Sequence, residues 1–216
     1  MNLSNHLLCA AARKKTLTYI GNTPKTSNET IYTFTGASIG TAAGDRRVIA
    51  SITASGGASG TTIDTVTIGG VTATLSTSRF NGTMSAIHAI ALVPTGTTAD
   101  IVVTHSGAKS RCTVGVYSVT GLTASAFYAD DAAYGTDGTD PMAISISSLI
   151  GGYVIANRET TDNTSATWTT LTERWDTPIE SGAATTTGAS LLCTGTTTTG
   201  SLSFSAGVGS GSCVSI

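Results

Sequence analysis

Glu173 and Asp176, flanked by Trp168 and Trp175, are the side chains whose spacing comes nearest to a reaction centre. A carboxylate pair beside aromatic rings is what glycoside hydrolysis needs, one group as acid and the other as nucleophile or base. Strand alternation gives a plainer account. Trp168, Thr170 and Thr172 fall on one face, and Thr169, Leu171, Glu173 and Trp175 on the other. One tryptophan then anchors a core, the other packs at a strand end, and Glu173-Arg174 is a solvated strand edge. Gly36-Ala37-Ser38-Ile39-Gly40 fits the nucleophile-elbow string, which requires a strand before the serine and a helix after it. The following Thr41-Ala42-Ala43-Gly44-Asp45 leads to another strand, and in a chain this rich in Gly and Ser the string arises by chance.

The histidines are His6, His88 and His105. His88 lies inside the apolar run Ile87-His88-Ala89-Ile90 and reads as a strand histidine, while His105 ends a strand at the surface. None has a partner at metal-ligand spacing. Asp130, Asp131, Asp137 and Asp140 could offer oxygen ligands to calcium, but their spacing is not that of an EF-hand loop and no Glu closes it. Cys9, Cys112, Cys193 and Cys213 contain no CxxC pair. They read as core thiols, with a Cys193–Cys213 pairing open if their strands are neighbours. The residues therefore predict no enzyme, no metal site and no cofactor.

The elements that would carry these groups are strands. About three residues in ten are Ser or Thr, Gly contributes 25 residues, and charged residues make up only 11%. Alternation is clean in Thr65-Val66-Thr67-Ile68 and in Ile144 to Ser147, which predicts antiparallel sheets with one wet face. Strand signals fall at 16–20, 30–35, 47–54, 64–68, 71–75, 84–93, 100–105 and 111–119. They resume at 142–147, 153–157, 167–175, 189–194, 201–206 and 212–216. Gly69-Gly70 reads as a tight hairpin turn, and residues 129–141 as the longest loop. The fold class expected is all-β: an antiparallel, jelly-roll-like β-sandwich over 16–216 as a single domain, preceded by a helical arm over 1–15.

That arm is the one helical signal. Leu3, Leu7 and Leu8 share a face, and Arg13-Lys14-Lys15 gives a basic C-terminal end. So short a helix needs something to lean on, either its own sandwich or a neighbouring protein. Leu3, Leu7, Leu8 and Arg13 are accordingly the candidate assembly residues. The net charge of −2 and the lack of a basic stripe with interleaved aromatics argue against nucleic acid. No apolar stretch has the length of a membrane span. The opening MNLSNHLLCAAARKK lacks the charge-then-apolar order of a signal peptide, so synthesis in a host cytoplasm is expected.

Several strings add a resemblance. TFTGASIGTAAGDRRVIASITAS, TVTIGGVTATL, ALVPTGTTADIVVTHSG, RCTVGVYSVTGL and WTTLTERWD follow in this order between Ile31 and Asp176. The set resembles uncharacterised β-sandwich proteins of tailed bacteriophages and prophages, often alphaproteobacterial. The ordered steps Asp45-Arg46-Arg47 and Leu171-Thr172-Glu173-Arg174 are its most specific part. The resemblance implies a virion component with no catalytic residue. Together with the composition, it leads to the expectation of a virion protein acting by assembly, a capsid decoration or cement protein. The alternative is a tail- or fibre-associated protein binding carbohydrate or host surface. The expected partners are major capsid or tail proteins and further copies of the chain, a trimer being the simplest closed assembly.

Overall fold

The computed structural model describes residues 13–135, 146–161, 167–179, 184–194 and 209–216. Among these every regular element is a strand. They are β1 (Thr16–Ser38), β2 (Arg47–Ser55), β3 (Ile63–Ile68), β4 (Val71–Thr72), β5 (Thr74–Leu75), β6 (Arg79–Asn81) and β7 (Met84–Leu92). After them come β8 (Thr98–Thr120), β9 (Ala129–Gly135), β10 (Tyr153–Thr160), β11 (Thr172–Ile179), β12 (Ala184–Leu192) and β13 (Gly209–Ser215). The expected antiparallel β-sandwich is what forms.

β1 and β8 are the spine. They run antiparallel over their whole lengths, from Thr16 opposite Thr120 to Ser38 opposite Thr98, with register shifts that let the ribbon bend. On its other edge β8 pairs β3 through residues 101–105 and β2 through residues 111–119. One long strand thus serves two sub-sheets, and β7 continues beyond β2 with β5 and β6 beside it. The sheet curls until it nearly closes on itself. Its inner face carries Val48, Ala50, Ile52 and Ala54 of β2, Ile87 and Ala89 of β7, and Val66 and Ile68 of β3. The Gly69-Gly70 turn joins β3 to β4 with Ile68 opposite Val71, both glycines having positive φ, as a two-residue hairpin of this hand requires.

The second sheet has the order β11-β12-β10-β13-β9. It packs on the outer face of the first, so β2 and β7 are covered on both sides, which explains their almost unbroken burial. Ile49, Ile90, Tyr117 and Val119 of the first sheet meet Ile155, Trp175, Val214 and Ile216 of the second. The far face of the second sheet is covered by Ile146, Trp168 and Leu171, which pack with Val154, Ala156, Ala189, Cys193 and Cys213.

Several expectations need correction. Two pairs of separate strand signals, 16–20 with 30–35 and 100–105 with 111–119, are the two long strands β1 and β8. Part of the expected loop at 129–141 is strand: Ala129–Gly135 is β9, paired along β13 from Ala129 opposite Ser215 to Gly135 opposite Gly209. Its Asp pair had read as loop, but β13 offers a small-residue edge against which any backbone can pair. Of the proposed N-terminal helix, Leu3, Leu7 and Leu8 lie outside the described residues. Arg13, Lys14 and Lys15 are irregular and lead straight into β1. Cys112, Cys193 and Cys213 are buried, and none of them is in a disulfide. The Cys193–Cys213 disulfide left open by the sequence does not form, because β10 lies between β12 and β13. Two strand spacings are about 9–10 Å, beyond the reach of a disulfide.

Candidate functional site

The sequence candidates for chemistry do not converge. Ser38 ends β1 at an exposed position, and no helix follows it. Trp168 (9% exposed) and Trp175 (6%) are both inside, on opposite faces of the second sheet. The alternation rule had put Leu171 on the Trp175 face. In the fold Leu171 joins Trp168 instead, because β11 begins only at Thr172 and a bulge lies between Glu173 and Trp175. Glu173 is left exposed, its pKa raised by partial burial and by the charge of Asp176. Asp130 and Asp131 are consecutive strand positions and so point to opposite sides. Asp130 accepts a bond from the Thr77 backbone and Asp131 from that of Ala132. Asp137, Asp140 and His6 lie outside the described residues. Among the described residues no His, Cys, Asp and Glu cluster could hold a metal ion.

One constellation was not visible in the sequence. His88, from β7, is fully buried between the sheets. Its Nε2 is 3.1 Å from Ser51 Oγ and its Nδ1 is 2.9 Å from Ser212 Oγ. The Ser212 hydroxyl donates to Asn157 Oδ1 at 2.9 Å, and Asn157 Nδ2 donates to the carbonyls of Ile52 and Ile87, each at 3.1 Å. A histidine between two serines resembles a nucleophile and its base. Here the ring is sealed, with no route for a substrate. Burial lowers the His88 pKa to about 3, against a weak opposing pull from Asp130, so the imidazole is neutral. It works as a hydrogen-bonded bridge between sheets. Only the oddity of a histidine in an all-apolar run could have signalled it.

The accessible feature is a groove of about 750 Å3 at the sandwich end where β1 begins. Its apolar lining includes Leu122, Phe127, Tyr128, Leu149 and Ile216, and its charged lining is Arg13, Lys15 and Asp45. The Asp45-Arg46-Arg47 step builds it. Asp45 Oδ2 accepts from the Gly121 backbone N–H at 3.0 Å and from Arg13 at 3.3 Å. Gly121 and Arg13 both hold the Asp45 carboxyl below its ordinary pKa, the Gly121 bond more strongly. Arg47 bonds the Leu122 carbonyl and, at 3.2 Å, Ser125 Oγ, which ties down the loop after β8. Arg46 is wholly buried, its guanidinium donating to the carbonyls of Val93, Gly40 and Thr95, each at 2.7 Å. Arg46 and Arg47 thus both donate to backbone carbonyls. In the fold they are clamps, as the planar five-donor fork of Arg suits. Around the groove, Tyr128 (55%), Leu149 (44%) and Ile150 (65%) are exposed large apolar side chains. Leu192 joins them through the Tyr153–Leu192 pairing at the same end.

No family model matches the chain, and no curated protein matches it. Among solved structures, a turret protein in Sulfolobus turreted icosahedral virus aligns at 14% identity, covering 93% of this chain and 99% of that one, with a TM-score of 0.23. A superposition this loose decides neither fold nor function. Among the described residues no helix is long and apolar enough to cross a membrane.

Proposed function

We propose that this chain is a structural component of a tailed-phage virion, working by protein–protein assembly as a capsid decoration protein. The observation that carries the reading is the apolar end. Tyr128 and Leu149 are exposed in the groove lining, Ile150 is exposed next to Leu149 in the chain, and Leu192 is exposed opposite Tyr153, while His88, Trp168 and Trp175 are internal. Clustered exposed apolar groups mark an interaction surface. A surface of this kind binds another protein and does no chemistry of its own. Burial of both tryptophans leaves a carbohydrate-binding role on a tail without its best stacking platforms, which favours the capsid. The order of the strings between Ile31 and Asp176 supports a tailed phage as the source.

The experiment is reconstitution on particles lacking the protein. The native chain is expected to bind in the copy number of the capsid lattice. Ile150→Asp should weaken binding about tenfold or more, as loss of a central apolar anchor does, with an unchanged melting temperature. Absence of the native chain from purified particles, or full binding by Ile150→Asp, would falsify the assignment.

A further inference from the structure

The groove lining is apolar along most of its length and cationic at one place, and an occupant has to answer both. Taking this end as the assembly surface, we infer that the groove accepts an acidic, apolar segment of a partner protein. Aliphatic or aromatic side chains of that segment lie on Leu122, Phe127, Tyr128 and Leu149, and a carboxylate meets Lys15.

Shape gives the first reason. At about 750 Å3 the groove has the size of a site that takes a ligand or a few large side chains. Tyr128 and Leu149 in its lining are still 55% and 44% exposed, so apolar surface remains to be taken from water.

Charge gives the second reason and sets the partner's chemistry. Asp45 is already engaged, its Oδ2 accepting from the Gly121 N–H at 3.0 Å and pairing with Arg13 at 3.3 Å. Lys15 is half-buried in the lining and Lys14 beside it is exposed, and neither has an acidic partner among the described residues. Their backbone is held in place. A Cβ on Gly121, whose φ is +83°, would lie 2.6 Å from the Lys14 carbonyl oxygen and 3.0 Å from the Lys15 Cα. A neutral partner covering this place would bury an ammonium without an anion, which costs free energy. A carboxylate removes that cost and makes the two surfaces complementary.

The same charges count against the other occupants. A second copy docked end to end about a twofold axis would set a second Arg13-Lys14-Lys15 against the first, like charge facing like. An anionic membrane also takes apolar and basic groups together, but such sites carry about four to eight clustered cations. Arg13, Lys14 and Lys15 fall short of that, and a concave lining suits inserted side chains better than a bilayer surface.

The test uses the purified full chain and three acetylated, amidated peptides. Each has the core Leu-Ile-Phe-Leu, flanked on both sides by Glu-Glu, Gln-Gln or Lys-Lys, and binding is read by fluorescence anisotropy. The Glu-flanked peptide is expected to bind about tenfold or more tightly than the Lys-flanked one at low salt, with the Gln-flanked one between. The spread should collapse near 1 M salt, where charges are screened beyond about 3 Å. Tyr128→Ala should weaken all three peptides about fivefold or more. Lys15→Glu should reverse their order, and Lys15→Gln, which keeps most of the side chain's packing, should narrow it. Thr65→Glu, at an exposed position on β3 beside residues 101–105 of β8, is the control and should leave the order unchanged. Four results overturn the inference: no binding of the Glu-flanked peptide, equal or tighter binding of the Lys-flanked one, an order that Lys15→Glu moves no more than Thr65→Glu does, or co-sedimentation of the chain with phosphatidylglycerol vesicles. The virion reading fails separately, by absence of the chain from particles, whatever the peptides do.

Discussion

The layer between the two sheets has two halves that hold together by different physics. In one, Trp175 lies against Gly115 and Gly188, where a Cβ would fall 2.3 Å and 2.0 Å from the indole. Tyr19 stacks on Trp175 at 5.5 Å and Tyr117 tilts against it at 6.1 Å. In the other half Ser51, His88, Asn157 and Ser212 form a chain of hydrogen bonds, and Thr53 meets Thr186 at 2.9 Å. Apolar contact is strong but tolerant of position. Hydrogen bonds to particular carbonyls are weaker in net terms but fix position. The aromatic half should supply the stability and the polar half should set the register, since a slip of one residue would bring the wrong face of every strand into the layer.

The largest expected effect is on the aromatic side. Trp175→Ala empties the space made by two glycines and should cost about 3–5 kcal/mol of folding free energy, read from urea denaturation. A loss of under about 1 kcal/mol would mean that the sheets close over the gap and that this half is not the main support.

The polar half should behave differently. Asn157→Leu removes the donor to Ile52 and Ile87 and the acceptor for the Ser212 N–H and hydroxyl. Buried groups left without partners cost about 1–3 kcal/mol, so the expected loss is about 2–3 kcal/mol, smaller than for Trp175. The sharper readout is uniqueness. Methyl resonances of Ile52, Ile87 and Val214 should broaden or double as the sheets lose their common register. Sharp, single resonances in a merely weakened protein would show that apolar packing alone sets the register.

This contrast also marks what the sequence could disclose. Period-two alternation made most strands legible, because each such strand buries one face. It did not disclose that β1 and β8 are continuous, since the segments between the strand signals carry Gly and polar residues that are tolerated at bulges. It missed β9, whose identity depends on the small residues of β13 far along the chain. Neither half of the inter-sheet layer was visible. Gly115 lies inside a strand signal and Gly188 just before one, with nothing to mark either as a packing site until Trp175 is seen between them, and Ser51, Ser212 and Asn157 are ordinary polar residues until three strands bring them to His88. The groove followed the same rule. Its apolar wall comes from the loop after β8, the turn before β10 and the C-terminal residue.

The smallest expected effect separates the halves by pH. Beyond Thr53, the polar half ends at Glu159, which is fully buried and has no well-aligned partner for either carboxylate oxygen among the described residues. Facing it from β8 are Arg111 and Lys109, the latter donating to the Thr83 carbonyl at 2.7 Å, and from β2 Ser55 and Thr53. Burial raises the Glu159 pKa to about 7 despite the opposing pull of these groups. The folded state therefore holds a proton that the unfolded chain releases near 4.5. Stability from this group is full below about pH 4.5 and is lost as pH rises to about 7. His88 runs the other way. With its folded pKa near 3 and its unfolded value near 6.5, its contribution is full above about 6.5 and is lost as pH falls toward 3. His105, lowered by burial to about 4, has the same sense. Native stability should peak near pH 6.5. Glu159→Gln mimics the protonated form, so it should match the native protein at pH 4.5 and exceed it by about 1–2 kcal/mol at pH 8. Denaturation at the two pH values measures this. A difference independent of pH would mean that the carboxyl keeps one protonation state throughout, and that the polar half is no more pH-sensitive than the aromatic half.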